Sequence, residues 1–175
     1  VLFRSGNDLT IEEIVTIGVG DRTVQIDPAA LERCRQSRAF LESEVRSGKI
    51  LYGVNTSFGP MCNKIVRDDE IETLQANLIR SHAAGLGNPI PPYIARGVLV
   101  LRLNTLLKGF SGVRIELLNA LRDMINAGVA PYIPESGSVG ASGDLIHLAH
   151  LALGLIGEGR VHYKGEWMEA PAAFK

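Results

Sequence analysis

The chain has 175 residues, 46% of them hydrophobic and 21% charged, and a formal net charge of −1. That length holds one domain, or one and a half, with a buried core, and the composition is that of an ordinary soluble globular protein. Near-neutral charge with dispersed basic residues argues against nucleic acid or a membrane surface as partner.

The opening Val1–Gly6 has no clear period, and residues 1–7 are read as an added remnant or a disordered start. Residues 8–175 form the domain proper. Asp8 to Ile14 is expected as a short helix, because Thr10 and Glu13 have capping-box spacing. Thr23 to Ile26 alternates like a strand. Asp27-Pro28 supplies an N-cap and a proline at the first helical position. The helix it starts carries an apolar stripe of Leu31, Cys34, Ala39, Phe40 and Leu41, and Gly48 ends it. Ile50 to Val54 reads as a second strand, running into a loop from Asn55 to Pro60. A helix over about Asp68–Ala84 places Ile71, Leu74, Leu78 and Ile79 at helical spacing, and Asn88-Pro89 and Pro91-Pro92 break the chain after it. The next helix, about Tyr93 to Leu107, is apolar nearly all round and is expected deep in the core. Another runs from Val113 to Asn126 and closes at Gly128. Pro131 to Gly143 reads as a loop, Asp144 to Ile156 as a strongly apolar helix, and Arg160 to Met168 as a hairpin turning at Lys164-Gly165.

The class is therefore mainly α with a few short strands. Two nearly all-apolar helices in so short a chain imply a missing partner surface, either another subunit or the remainder of a longer protein. Cys34 and Cys62 form no C-x-x-C pair, which argues against a disulfide framework or a zinc site and makes a reducing cytoplasm the simplest compartment. No signal peptide or membrane-length apolar run is visible.

The segment Gly137-Ser138-Val139-Gly140-Ala141-Ser142-Gly143-Asp144-Leu145 is the most informative. Glycine recurs every third residue, so the backbone can bend tightly and approach itself. A plain inter-helix loop accounts for the composition. A dinucleotide fingerprint does not, because no strand precedes it; a P-loop lacks its Gly-Lys-Ser/Thr; a hydrolase elbow fails because Asp144 stands where glycine is needed.

Gly140-Ala141-Ser142-Gly143-Asp144 resembles the signature of the aromatic amino-acid ammonia-lyases and aminomutases that use methylidene-imidazolone. Other segments resemble the family in the same order: Tyr52-Gly53-Val54-Asn55-Thr56-Ser57-Phe58-Gly59, Gln75 to Gly85 with its Ser81-His82, Arg102 to Leu106, Ser111-Gly112, and Leu151 to Gly159. The likeness covers about Leu9 to Gly165. It implies the N-terminal helical part of the ammonia-lyase (fumarase/aspartase-like) fold, with the C-terminal helical bundle absent and a homotetramer as the full-length assembly.

It also implies roles. Ala141, Ser142 and Gly143 would close into the electrophilic ring, the glycine amide attacking the alanine carbonyl and two waters leaving. Their place at the start of an apolar helix would favour developing negative charge by roughly 1 kcal/mol. Tyr52 would be the base that takes the substrate's β-proton, which requires its phenol to titrate below the usual value near 10. His82 would select the substrate ring, and Asp144 would support the loop from outside the reacting atoms. His147 and His150, one turn apart and without a third ligand, suggest packing or support rather than metal binding. The implied reaction is loss of ammonia from an aromatic L-amino acid, histidine to trans-urocanate first. Tyrosine lyase or tyrosine aminomutase activity is the alternative, and a non-catalytic interaction domain of the same fold the second. No metal or diffusible cofactor is implied, and the piece alone is expected to be nearly inactive.

Overall fold

The computed structural model describes residues 1–59, 66–67, 70–141 and 143–175, apart from the Phe3 side chain. In chain order its elements are β1 (Leu2–Arg4), α1 (Ile11–Val19), β2 (Val24–Ile26), α2 (Pro28–Arg46), α3 (Ile71–His82), β3 (Leu86–Pro89) and α4 (Pro92–Leu106), then α5 (Ile115–Ala127), β4 (Ala130–Pro131), β5 (Pro134–Ser136), α6 (Leu145–Leu155), β6 (Arg160–Tyr163), β7 (Glu166–Glu169) and α7 (Ala170–Ala173). Helices dominate, as expected. The strands form three small sheets: β1 parallel to β2, β3 antiparallel to β5, and the antiparallel set β4-β6-β7.

The core gathers around α4. Ala95, Leu99, Val100, Leu103 and Leu106 are buried there against Ile17 of α1, Leu118 and Leu121 of α5, and Val161 of β6. The expectation that α4 is buried on nearly every face needs correction, because Ile94 and Leu101 are exposed at 43% and 47%. Among the described residues, no element covers that side of the helix fully.

Local chemistry accounts for several boundaries. Thr10 caps α1 through a complete capping box with Glu13, and Asp27 caps α2 through its carboxylate, with Pro28 at the first helical position. The hairpin β6-β7 turns at Lys164-Gly165, both with positive φ (50° and 90°), the geometry of a tight primed turn.

Three expectations are corrected. Residues 1–7 are not a disordered start: Leu2–Arg4 pairs with β2, and Arg4 is buried against the Glu13 carboxylate at 2.9 and 3.2 Å. Ile50–Val54 is a turn rather than a strand, because the Asn55 side chain accepts from the Leu51 amide (2.8 Å) and donates to the Lys49 carbonyl (2.9 Å), curling the backbone over itself. Pro131–Gly143 is not one loop, since Pro131 ends β4 and β5 lies within it. Cys34 is buried as a free thiol, and Cys62 lies outside the described residues.

The Glu13 carboxyl titrates below its usual range because the Thr10 amide donates to it, and the Arg4 guanidinium adds to the effect. A depressed carboxyl gives stability that is present above its unfolded value of 4.5 and is lost as pH falls through the folded value. Glu13→Gln should therefore cost about 1–2 kcal/mol at neutral pH. In urea melts the gap to the wild type should narrow below pH 4.5; a gap independent of pH would show that the charge plays no part.

Candidate functional site

The candidate residues are organised by α3 and α6, which pack against each other. The loop 137–144 leads into α6. Asp144, the residue just before the helix, sits in the left-handed region (φ 51°, ψ 47°) and does not cap the helix with its side chain. Its carboxylate turns back into the loop, accepting the Ser138 hydroxyl proton and the Gly140 amide (3.0 Å). Asp144 thus staples both sides of the turn that presents Ala141. Ala141 and Gly143 are exposed, and Ser142 lies outside the described residues.

The loop has room to change shape. At Gly140 and Gly143 (φ 72° and 86°) none of the described residues outside their immediate neighbours lies within 4 Å of where a Cβ would stand. These are conformations that glycine adopts without penalty, so residue types and space both fit a backbone that must close on itself.

Tyr52 stands on the 51–54 turn and is 66% exposed. Its hydroxyl accepts the Gly59 amide at 3.3 Å, and its ring meets Phe58 edge-on at 6.1 Å. Gln75 of α3 donates to the Gly53 carbonyl at 3.3 Å and ties this turn to α3. His82 ends α3, half-buried. Its Nδ1 is 2.9 Å from the Leu78 carbonyl and 3.2 Å from the Ser81 hydroxyl; the carbonyl can only accept, so a neutral ring with its proton on Nδ1 keeps Nε2 as an acceptor.

Tyr52 and His82 are therefore joined through α3, and α3 is joined to the loop. Arg80 forms a two-pronged ion pair with Glu158 beyond α6, at 2.9 and 2.5 Å, which holds that carboxyl below its usual range. Just past α3, the Gly85 amide donates to His150 Nε2 at 3.1 Å. Gly85 also meets the root of the loop, since a Cβ on Gly137 would lie 3.1 Å from the Gly85 Cα. What the structure does not bring together is a closed pocket: Val139 is 92% exposed, and Tyr52 is held by Gly59 and Phe58 rather than by the loop.

Sequence reasoning missed the Arg80–Glu158 pair; it set Asp144 in support of the loop but did not identify Ser138 and Gly140 as the partners of its carboxylate. A carboxylate directly after a Gly/Ser run was the signal available for the staple; nothing local marks a pair 78 residues apart. Among the described residues no group of three or more His, Cys, Asp or Glu side chains is placed to hold a metal, and no helix is long and apolar enough to cross a membrane.

Comparison with known proteins adds an independent line. A family model described as aromatic amino acid lyase matches residues 9–175. Histidine ammonia-lyase from Treponema denticola is 46% identical over 169 residues, covering 97% of this chain and 33% of its own length. The crystal structure of histidine ammonia-lyase from Trypanosoma cruzi superposes with a TM-score of 0.89 at 39% identity, over 97% of this chain and 33% of that one. The ergothioneine-degrading enzyme ergothionase from Treponema denticola gives a TM-score of 0.93 at 35% identity, over 98% and 34%. The chain thus spans about a third of the length of the curated relatives it matches.

Proposed function

We propose that this chain, which belongs to the aromatic amino acid lyase family, is the electrophile-bearing N-terminal domain of an enzyme that eliminates ammonia from an aromatic L-amino acid, with L-histidine the first choice of substrate. The observation that carries this reading is the exposed loop 137–144, stapled by Asp144 at the head of α6, with Ala141-Ser142-Gly143 in its sequence.

A methylidene-imidazolone formed from those three residues would supply the electrophile, and neither a metal nor a diffusible cofactor is then needed. The chain's own residues do the rest. Tyr52 holds a phenol at the edge of the site and removes the β-proton. His82 turns Nε2 outward as an acceptor for a donor on the substrate ring, which suits imidazole or phenol better than a plain hydrocarbon ring. Asp144 holds the loop with Ala141 turned toward solvent, where the remainder of the parent would cover it. The assignment of this chain as one domain of a longer lyase and the homotetramer belong to this same proposal, because the exposed site needs surfaces that this chain does not supply; the cytoplasmic location is proposed with them.

Intact mass tests the first step. Wild-type protein should be lighter than its sequence by two waters, and Ser142→Ala, which removes the hydroxyl that leaves as one of them, should not be. An unmodified mass for the full-length parent would sink the reading. Assay of that parent with histidine should release urocanate. Release of coumarate from tyrosine, a β-amino acid product or turnover of ergothioneine alone would each replace histidine lyase with another member of the family.

A further inference from the structure

His150 lies outside the reacting groups, yet it connects three parts of the site. Its Nε2 accepts the Gly85 amide proton at 3.1 Å across 65 residues of chain. Gly85 follows His82 and is wedged so tightly that a Cβ there would lie 2.2 Å from Pro134 Cγ and 3.0 Å from the Ser136 carbonyl. Gly137, where the loop departs, is in turn close to the Gly85 Cα and to Ile146 of α6. The backbone at Gly85 is therefore the point where the end of α3, the root of the loop and α6 meet.

We propose that His150 is a positioning residue for the loop: as the neutral Nδ1–H tautomer it holds Gly85 against Gly137, and so sets the loop carrying Ala141-Ser142-Gly143 at a fixed distance from His82. Only the neutral ring can do this, because an imidazolium has no acceptor. Burial first, and then the neighbouring His147, push the ring toward neutrality. Tyr132 packs its ring 6.2 Å from that of His150. The charged and titratable groups on the elements around α6 are Glu72, Arg80 and His82 on α3; Tyr132 after β4; Glu135 on β5; Arg160, His162 and Tyr163 on β6, with the Arg160 guanidinium 5.7 Å over the Tyr132 ring; and Glu158, paired with Arg80. Of these carboxylates, Glu158 is engaged by Arg80 and Glu135 accepts the Asn88 amide. The functional meaning of this arrangement rests on the loop being the electrophile, as proposed above.

The test uses this chain labelled with nitrogen-15, as wild type, His150→Gln and His150→Leu. Wild-type Gly85 amide protection, referred to the intrinsic exchange rate at each pH, should fall roughly five- to tenfold as pH falls through the His150 titration, a change expected for loss of one hydrogen bond. The Gly137 and Gly140 amide resonances should move with the same midpoint. His150→Gln, which keeps an acceptor that does not titrate, should retain protection and lose the pH step; His150→Leu should exchange fast at every pH. Equal Gly85 exchange in wild type and His150→Leu overturns the proposal. So does a Gly85 response to which Gly137 and Gly140 are blind, because His150 would then hold Gly85 without setting the loop. Should His150→Leu fail to fold, wild type against His150→Gln still decides. Intact mass of the same samples separates the two claims: a titrating clamp on a chain that keeps both waters supports the positioning role and counts against ring closure in this chain.

Discussion

Leu103→Ala is expected to destabilise the chain by about 3–5 kcal/mol, the range found when a buried leucine leaves a cavity that its neighbours cannot fill. Leu103 is fully buried, one turn before the end of α4, a helix that packs against α1 and α5. Two turns of helix cannot collapse inward there without dragging the packed faces of their partners, so most of the void should persist. Leu101, two residues earlier on the same helix, is 47% exposed. Leu101→Ala changes the same chemistry and the same helix propensity but should cost under about 1 kcal/mol. Urea unfolding of the two variants at matched slope reads the difference directly. Equal losses would mean that α4 is not the core element described above. The pair has a second use: if Leu101→Ala costs several-fold more in the full-length parent than in this chain, the exposed face of α4 is covered there.

The elements that were legible in the sequence are those whose signals are local. Thr10 with Glu13, Asp27 with Pro28, and Lys164 with Gly165 each fix a cap or a turn within four residues, and each marks a real boundary. The misreadings have non-local or competing causes. Ile50–Val54 has strand composition, but the Asn55 amide outcompetes any ladder by bonding the backbone on both sides of the turn. β3 and β5 are rich in proline and glycine and exist because they find each other across the break between α3 and α4. β1 is three residues long, too short for any period to show. The site divides the same way. Tyr52, His82 and the tripeptide were visible as residue types in a familiar order, whereas the contacts joining them, Gln75 to Gly53, Arg80 to Glu158 and Gly85 to His150, are long in sequence and leave no pattern along the chain.

Asp144→Ala is expected to reduce the rate of the proposed ring closure by one to two orders of magnitude, because two hydrogen bonds to a carboxylate at about 1 kcal/mol each would be lost from a partly solvated turn. The carboxylate has two separable duties. It holds Ser138 and Gly140, and its residue occupies a left-handed conformation that alanine tolerates poorly. Asp144→Gly relieves the backbone but supplies no acceptor, while Asp144→Asn tolerates the conformation and retains one neutral acceptor oxygen. If the staple sets the loop, the water loss followed by intact mass over time should rank wild type, then Asn, then Gly and Ala together. If the backbone conformation dominates, Gly should match or exceed Asn, and Ala alone should be slow. A rate unchanged in Asp144→Ala would remove Asp144 from the machinery altogether and leave the tripeptide dependent on surfaces supplied by the rest of the parent. The ranking is informative because α6 does not use Asp144 as a side-chain cap, so none of these substitutions removes a helix-capping bond, and helix content by circular dichroism should stay constant across the series.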